Sequence, residues 1–114
     1  MNYEDRVTKE YVEGLLSGGL KIATGTYVGD GRYGSGSLGV TFPFVPKLVI
    51  VSDGKTTDGH WFVWYTGVQY MRACNNDSYR IGCYLVGNTL NWYSSTAEAQ
   101  FNTNGATYCW VAIG

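Results

Sequence analysis

The chain has no uninterrupted apolar run of the ~20 residues that a bilayer-spanning helix requires, so no such helix is expected. It also lacks a basic start followed by an apolar stretch, the pattern of a secretory leader. Its opening, "MNYEDRVTKEYVEGLL", carries charges of both signs. The expectation is a product made and folded in a cytoplasm. An excess of charge is missing too: eight Lys and Arg stand against nine Asp and Glu. A nucleic-acid binder shows a basic face, so no nucleic-acid partner is expected. His60 is the single histidine, and Cys74, Cys83 and Cys109 form no C-x-x-C. These are too few ligands, too scattered, for a zinc centre, and no metal or cofactor is expected. An odd set of cysteines in separate strand-like segments reads as buried reduced thiols. One disulfide plus one free thiol is the other arrangement left open.

What is present is a single domain's worth of chain, 114 residues, enough for a modest core. Charges crowd the first thirteen positions, where Glu4, Asp5, Arg6, Lys9, Glu10 and Glu13 lie. Within residues 2–16, Val7, Tyr11 and Leu15 form one helical stripe, with Tyr3 a turn earlier. Gly18 and Gly19 end that pattern. So short a helix is marginal alone; it packs on its own domain or meets copies of itself. Beyond it the chain is rich in Gly, Tyr, Trp, Asn, Ser and Thr, the composition of a β domain with many turns. Strands are expected at 21–28, 37–42, 47–52, 60–66, 68–73, 79–86, 89–94, 97–102 and 106–113. Gly87-Asn88 and Asn104-Gly105 read as hairpin turns. In "YRIGCYLV", Tyr79, Ile81, Cys83 and Leu85 alternate with Arg80, Gly82, Tyr84 and Val86. The fold class this implies is all-β: an antiparallel β-sandwich of about eight or nine short strands after one short N-terminal α-helix.

Gly29, Gly31 and Gly34 spell G-x-G-x-x-G, and Asp53 stands where a ribose-binding acid would. The physics of that motif demands a helix directly after the glycines, whose N-terminus holds the pyrophosphate. "SLGVTFPFVP" follows instead, with β-branched residues, Pro43 and Pro46. The glycines are therefore expected in a tight, mobile loop between antiparallel strands.

Catalytic material is thin. Asp53, Asp58, Asp77 and Glu98 are candidate carboxylates for glycoside hydrolysis, but four acids in loops are ordinary for a soluble domain. No enzyme is expected. Binding material is richer. "HWFVWYTG" sets His60, Phe62 and Trp64 on one strand face and Trp61, Val63 and Tyr65 on the other. One face is core, and the other needs a partner. Trp92 and Tyr93, and Tyr108 and Trp110, repeat the theme. Asn75, Asn76, Asp77 and Ser78 offer polar groups nearby in sequence. Flat rings beside amides suit sugars, whose CH faces stack while hydroxyls pair. The ligand-binding candidates are Trp61, Trp64, Tyr65, Trp92, Tyr93, Asn75, Asn76 and Asp77.

Three stretches carry a resemblance. "YEDRVTKEYVEGLL" holds V-T-K-E-Y-V. "IATGTYVGDGRYGSGSLGVTFPFVPKLVIV" holds G-x-Y-x-G-x-G, T-F-x-F and P-K-L-V-I-V. "GNTLNWYSSTAEAQFNTNGATYCWVAIG" holds W-Y-S, A-Q-F-N and a closing aromatic-V-A-I-G. From Tyr3 to Gly114 the chain resembles small C-terminal modules of phage tail-fibre and receptor-binding proteins, common in phages and prophages of gut Firmicutes. The fold is also similar to the H-type lectin sandwich. The resemblance implies an oligomerisation segment and glycine hinge at 2–19 and a receptor-binding head at 20–114. It implies a homotrimer joined through Val7, Tyr11 and Leu15. It further implies attachment to a host-surface glycan or protein receptor, with no membrane insertion, and assembly in the bacterial cytoplasm into a virion tail. The segment "DGKTTDGHWFVWYTGVQYMRACNNDSY" matches no family pattern and is where specificity would lie. A structural trimerising or capping tail protein without a ligand is the alternative, and a glycan-cleaving depolymerase a third. The start at Met1 without a shaft suggests a small free-standing product or an excised terminal domain.

Overall fold

The computed structural model describes residues 21–34, 38–55 and 59–114. The expected helix, with Val7, Tyr11 and Leu15, lies outside them. Eight strands follow in order: β1 (Ile22–Val28), β2 (Leu38–Thr41), β3 (Leu48–Ser52), β4 (Trp61–Tyr65), β5 (Tyr70–Ala73), β6 (Asn76–Val86), β7 (Thr89–Tyr93) and β8 (Thr107–Ile113). They form two four-stranded antiparallel sheets. The first has the order β1-β8-β3-β4 and the second β2-β7-β6-β5. The described residues are all-β, and the two sheets are compatible with a sandwich.

The two-residue period of a strand sorts side chains to opposite faces. In β3, Val49 and Val51 are fully buried while Leu48, Ile50 and Ser52 face outward. In β4, Phe62 and Trp64 are buried while Trp61 and Tyr65 are exposed. Ile81 and Cys83 of β6 and Leu90 and Trp92 of β7 are buried on the second sheet. All of them join one cluster with Phe42, Phe101, Tyr108 and Ala112. Phe62 is the hinge between the sheets. Its ring meets Trp92 edge-on at 5.2 Å and Phe101 at 5.0 Å. Burying a ring the size of Trp92 contributes about 4–6 kcal/mol of hydrophobic stabilisation. The indole N–H of Trp92 donates to the Gln100 carbonyl at 2.8 Å, so its polar end is satisfied as well.

One expected strand is a correction. Residues 97–102 form a single closed turn. Ala99 N–H donates to Thr96 Oγ1 at 3.1 Å, which is an N-cap. Asn102 N–H donates to the Ala97 carbonyl at 2.9 Å and Phe101 N–H to that of Glu98 at 3.1 Å. That is the paired closure of a Schellman motif, with Phe101 at the left-handed position, φ 56°. "AEAQFN" alternates apolar and polar, but Ala, Glu and Gln are helix formers and poor strand residues. The Asn104-Gly105 turn is consequently no hairpin between paired strands. It caps the approach to β8, which pairs with β1 and β3. The Gly87-Asn88 turn does join a hairpin, closed by the Val86↔Thr89 pair.

The thiols also depart from expectation. All three are free, but only Cys83 is buried; Cys74 is half-buried and Cys109 is exposed. Burial pushes the Cys83 thiol up to about 11.

The G-x-G-x-x-G segment is not a loose loop. Gly29 N–H donates to the Ala106 carbonyl at 2.8 Å and Gly31 N–H to that of Asn102 at 2.8 Å. Gly31 and Gly34 have φ of +84° and +68°, and a side chain at Gly29 would strike the backbone of Asn102 and Thr103. Two buried carboxamides complete the seam. The Asn102 amide donates to Asp30 Oδ1 at 2.6 Å and to the Arg32 carbonyl at 2.9 Å, and its oxygen accepts from Asp30 N–H at 3.0 Å. The Gln100 side-chain oxygen accepts from Gly34 N–H at 2.9 Å and Ser94 N–H at 2.8 Å.

Replacing Asn102 by Leu keeps volume but strands the Asp30 N–H and the Arg32 carbonyl. We expect a loss of about 2–3 kcal/mol in urea unfolding, against under about 0.5 kcal/mol for Asn104→Ala at the exposed turn. The Asp30 carboxyl is held below the ordinary aspartate value, first by Arg32 N–H, then by the Asn102 amide and the Arg32 guanidinium. A depressed folded value contributes stability above the unfolded pKa, and that stability is lost as pH falls through the folded one. The stability gap between the wild type and Asp30→Asn should therefore be constant near neutrality and shrink below about pH 4.

Candidate ligand-binding groove

The outward face of the β2-β7-β6-β5 sheet is built by strand alternation. Tyr70 and Arg72 of β5, Arg80, Gly82 and Tyr84 of β6, and Asn91 and Tyr93 of β7 lie on it. Their partners Met71, Ala73, Ile81, Cys83, Leu90 and Trp92 turn inward. Register fixes the neighbours: Tyr70, Gly82 and Tyr93 share one row, and Arg72 stands directly opposite Arg80.

Gly82 makes this face concave. A Cβ there would run into the ring of Tyr93, so that ring lies across the glycine toward Tyr70. The Tyr93 phenol is held above its ordinary range, first by desolvation and then by the Tyr70 phenol beside it. Below the pair opens a groove of about 640 Å³ lined by Tyr70, Arg72, Arg80, Gly82, Tyr93 and Ser95. On the other side of the same two tyrosines lies a second groove of about 420 Å³, reaching Gly67, Gln69 and Tyr84. The first volume lies within the range of small-molecule sites. Its rear wall is anchored: Ser94 Oγ donates to the Arg80 carbonyl at 2.6 Å, and Ser94 N–H donates to Gln100.

The expected site residues are dispersed. Trp64 and Trp92 are 2 % and 0 % exposed; both rings are core, and their expected role in stacking a ligand is corrected. The Trp64 indole N–H donates to the Val68 carbonyl at 3.1 Å. Trp61 and Tyr65, 42 % and 59 % exposed, face outward from the other sheet. Tyr93 alone of the expected aromatics lines the groove. Asn75, at φ 68°, donates its side-chain amide to the Gly59 carbonyl at 3.0 Å. With the Trp61↔Cys74 bridge, this sets the Asn75 turn beside the start of β4, so Trp61 and Asn75 are neighbours. The Asn76 side-chain oxygen accepts from Ser78 N–H and Oγ, so it serves its own turn. Asp77 is exposed on that turn.

Tyr70, Arg72 and Arg80 were not among the expected binders. The signal was available in "QYMRA" and "SYRIGCYLV", where alternation puts Tyr70 and Arg72, and Arg80 and Gly82, on the polar face. The large aromatics of "HWFVWYTG" are the stronger stacking signal in the sequence.

Of the four candidate carboxylates, Asp53 and Glu98 line one cavity of about 220 Å³ with Lys55, His60, Tyr79 and Tyr108. Asp53 spends one oxygen on Lys55 N–H and the other on His60 N–H, both at 3.0 Å. Glu98 accepts from the Tyr79 hydroxyl at 3.2 Å. The His60 ring meets Tyr79 edge-on at 5.3 Å, and its buried Nδ1 has no partner. Asp58 lies outside the described residues. Among those described, no three His, Cys, Asp or Glu side chains gather as a metal site. The tyrosine groove presents flat rings, guanidinium groups and hydroxyls to a solute.

No protein-family model, curated protein or solved structure matches this chain.

Trp64→Ala and Trp92→Ala should each cost about 3–5 kcal/mol in denaturant unfolding, as core truncations do. Tyr93→Ala, at the surface, should cost under about 1 kcal/mol. A Trp64→Ala protein as stable as the wild type would contradict the burial of that ring in the core.

Proposed function

We propose that the chain is a receptor-binding head of a phage tail fibre, which attaches to a bacterial host surface through glycans and catalyses nothing. The observation that carries this reading is the groove at Tyr70 and Tyr93. The Tyr93 ring laid over Gly82, with Tyr70 in the same row, gives a flat apolar wall with hydroxyl edges, which suits a saccharide ring. The groove sits on the outward face of a sheet whose inner face is core, which suits access by a large solute. Weak individual sites then gain strength by number. A homotrimer, with residues 2–19 as the joining segment and 20–114 as the head, presents three copies to a repetitive surface, and avidity replaces affinity. On this reading the protein belongs to the virion tail.

A second reading, a structural trimerising or capping protein without a ligand, is favoured by the opposite face. On the β1-β8-β3-β4 sheet, Ile22, Ile113, Leu48 and Tyr65 form one outward row, and Val111, Ile50 and Val63 another. Ile22 and Tyr65 are exposed. A contiguous apolar face suits burial against a neighbouring subunit.

Two measurements separate the readings. Light scattering of the native chain should give three times the monomer mass, falling to the monomer when residues 1–19 are removed. The intact protein should adsorb to host cells or immobilised host glycan, and Tyr93→Ala should weaken that adsorption about tenfold or more, since alanine truncation of a central aromatic costs a binding site about 2 kcal/mol. A trimer that adsorbs to neither would favour the capping role; a monomer at all concentrations would remove the trimeric model.

A further inference from the structure

We infer that the Tyr70–Tyr93 groove takes an acidic saccharide, whose carboxylate or phosphate sits between Arg72 and Arg80 while its ring lies against the tyrosines. This rests on the glycan-binding reading above and narrows its ligand class. The argument begins with the two arginines. They occupy directly opposed positions on neighbouring antiparallel strands, where Cβ atoms lie about 5 Å apart and like charges oppose folding. Neither has an ion-pair partner among the described residues, whereas Arg32 is neutralised by Asp30 at 2.7 Å. Among the described residues, no acidic side chain lines the groove or its neighbour across the tyrosines. Two guanidinium groups at that spacing reach a single anion, and their planar forks match carboxylate and phosphate oxygens two at a time.

The backbone adds a second observation. The β5–β6 register holds through Arg72↔Arg80 and breaks at once, Ala73 pairing with Asn76. Residues 77–79 are therefore extra on β6. Such irregularities bend a strand and re-aim the side chains beside them. Ser94 then clamps the Arg80 carbonyl at 2.6 Å. The pair is thus fixed at both ends in an arrangement that its own repulsion opposes.

The test uses the full chain on an array of immobilised neutral, uronic-acid and sugar-phosphate oligosaccharides, with the Arg72→Gln/Arg80→Gln double variant beside the wild type. Retention on acidic members, reduced tenfold or more in the double variant while its melting temperature does not fall, is the expected result. Competition by free galacturonate or by glucose 1-phosphate then tells a carboxylate ligand from a phosphate one. Retention confined to neutral members and equal in both proteins overturns this inference and leaves the glycan reading standing. Retention on no member overturns both. A double variant that fails to fold is replaced by Arg80→Lys, which keeps charge but loses the fork; undiminished acidic binding there overturns the bidentate arrangement.

Discussion

Two carboxamides with no solvent exposure, Gln100 and Asn102, hold together parts of the chain that have no strand pairing to join them. A buried amide without partners costs on the order of 1–3 kcal/mol, so each must find them, and each finds at least one partner distant in sequence. Asn102 reaches Asp30 and Arg32; Gln100 reaches Gly34 and Ser94. The glycine segment after β1 is thereby sewn to the segment between β7 and β8. Ser94 passes the constraint onward to the Arg80 carbonyl, so the groove on the outer sheet is braced from the same seam. Phe101, between the two amides, fills the core at a left-handed backbone position that a bulky residue adopts at some cost. Its ring packs against Phe62 and its carbonyl accepts from the Tyr27 hydroxyl at 2.8 Å. Packing and hydrogen bonding on both sides hold it there.

The sheets were legible in the sequence because their signals are local. The β-branched apolar run in "KLVIVS", the alternation in "YRIGCYLV" and the two-residue turn at Gly87-Asn88 need no knowledge of distant residues. The segment 97–102 was not legible, because its alternation is accidental and its closure rests on hydrogen bonds within one turn and on amides reaching across the fold. The inward face of β4 was not legible either. With aromatics at Trp61, Phe62, Trp64 and Tyr65, either parity could have been core. Which side faces inward is decided by Trp92 and Phe101, which Phe62 meets. The polar face of β5 and β6 was readable in principle, since Tyr70, Arg72, Arg80 and Gly82 obey the same period of two. It carries fewer large rings than "HWFVWYTG", and so a weaker signal of binding.

The G-x-G-x-x-G segment shows how one glycine spacing serves unrelated physics. In a nucleotide fold, glycines let backbone amides approach phosphate. Here their amides donate to the carbonyls of Ala106, Asn102 and Ser94, so the donors are spent within the protein. The missing side chain at Gly29 admits the backbone of Asn102 and Thr103 rather than a ligand.

The pleat of β5 and β6 divides these strands into two independent registers of information. Met71, Ala73, Ile81 and Cys83 speak to the core, and Tyr70, Arg72, Arg80, Gly82 and Tyr84 to the outside. Among the described residues β5 is an edge strand, paired only with β6, and it contributes two outward positions, Tyr70 and Arg72. Substitution at those positions rewrites the outer surface without disturbing a single core contact. In this arrangement a short stretch of chain carries outward side chains whose identity is uncoupled from the packing of the core.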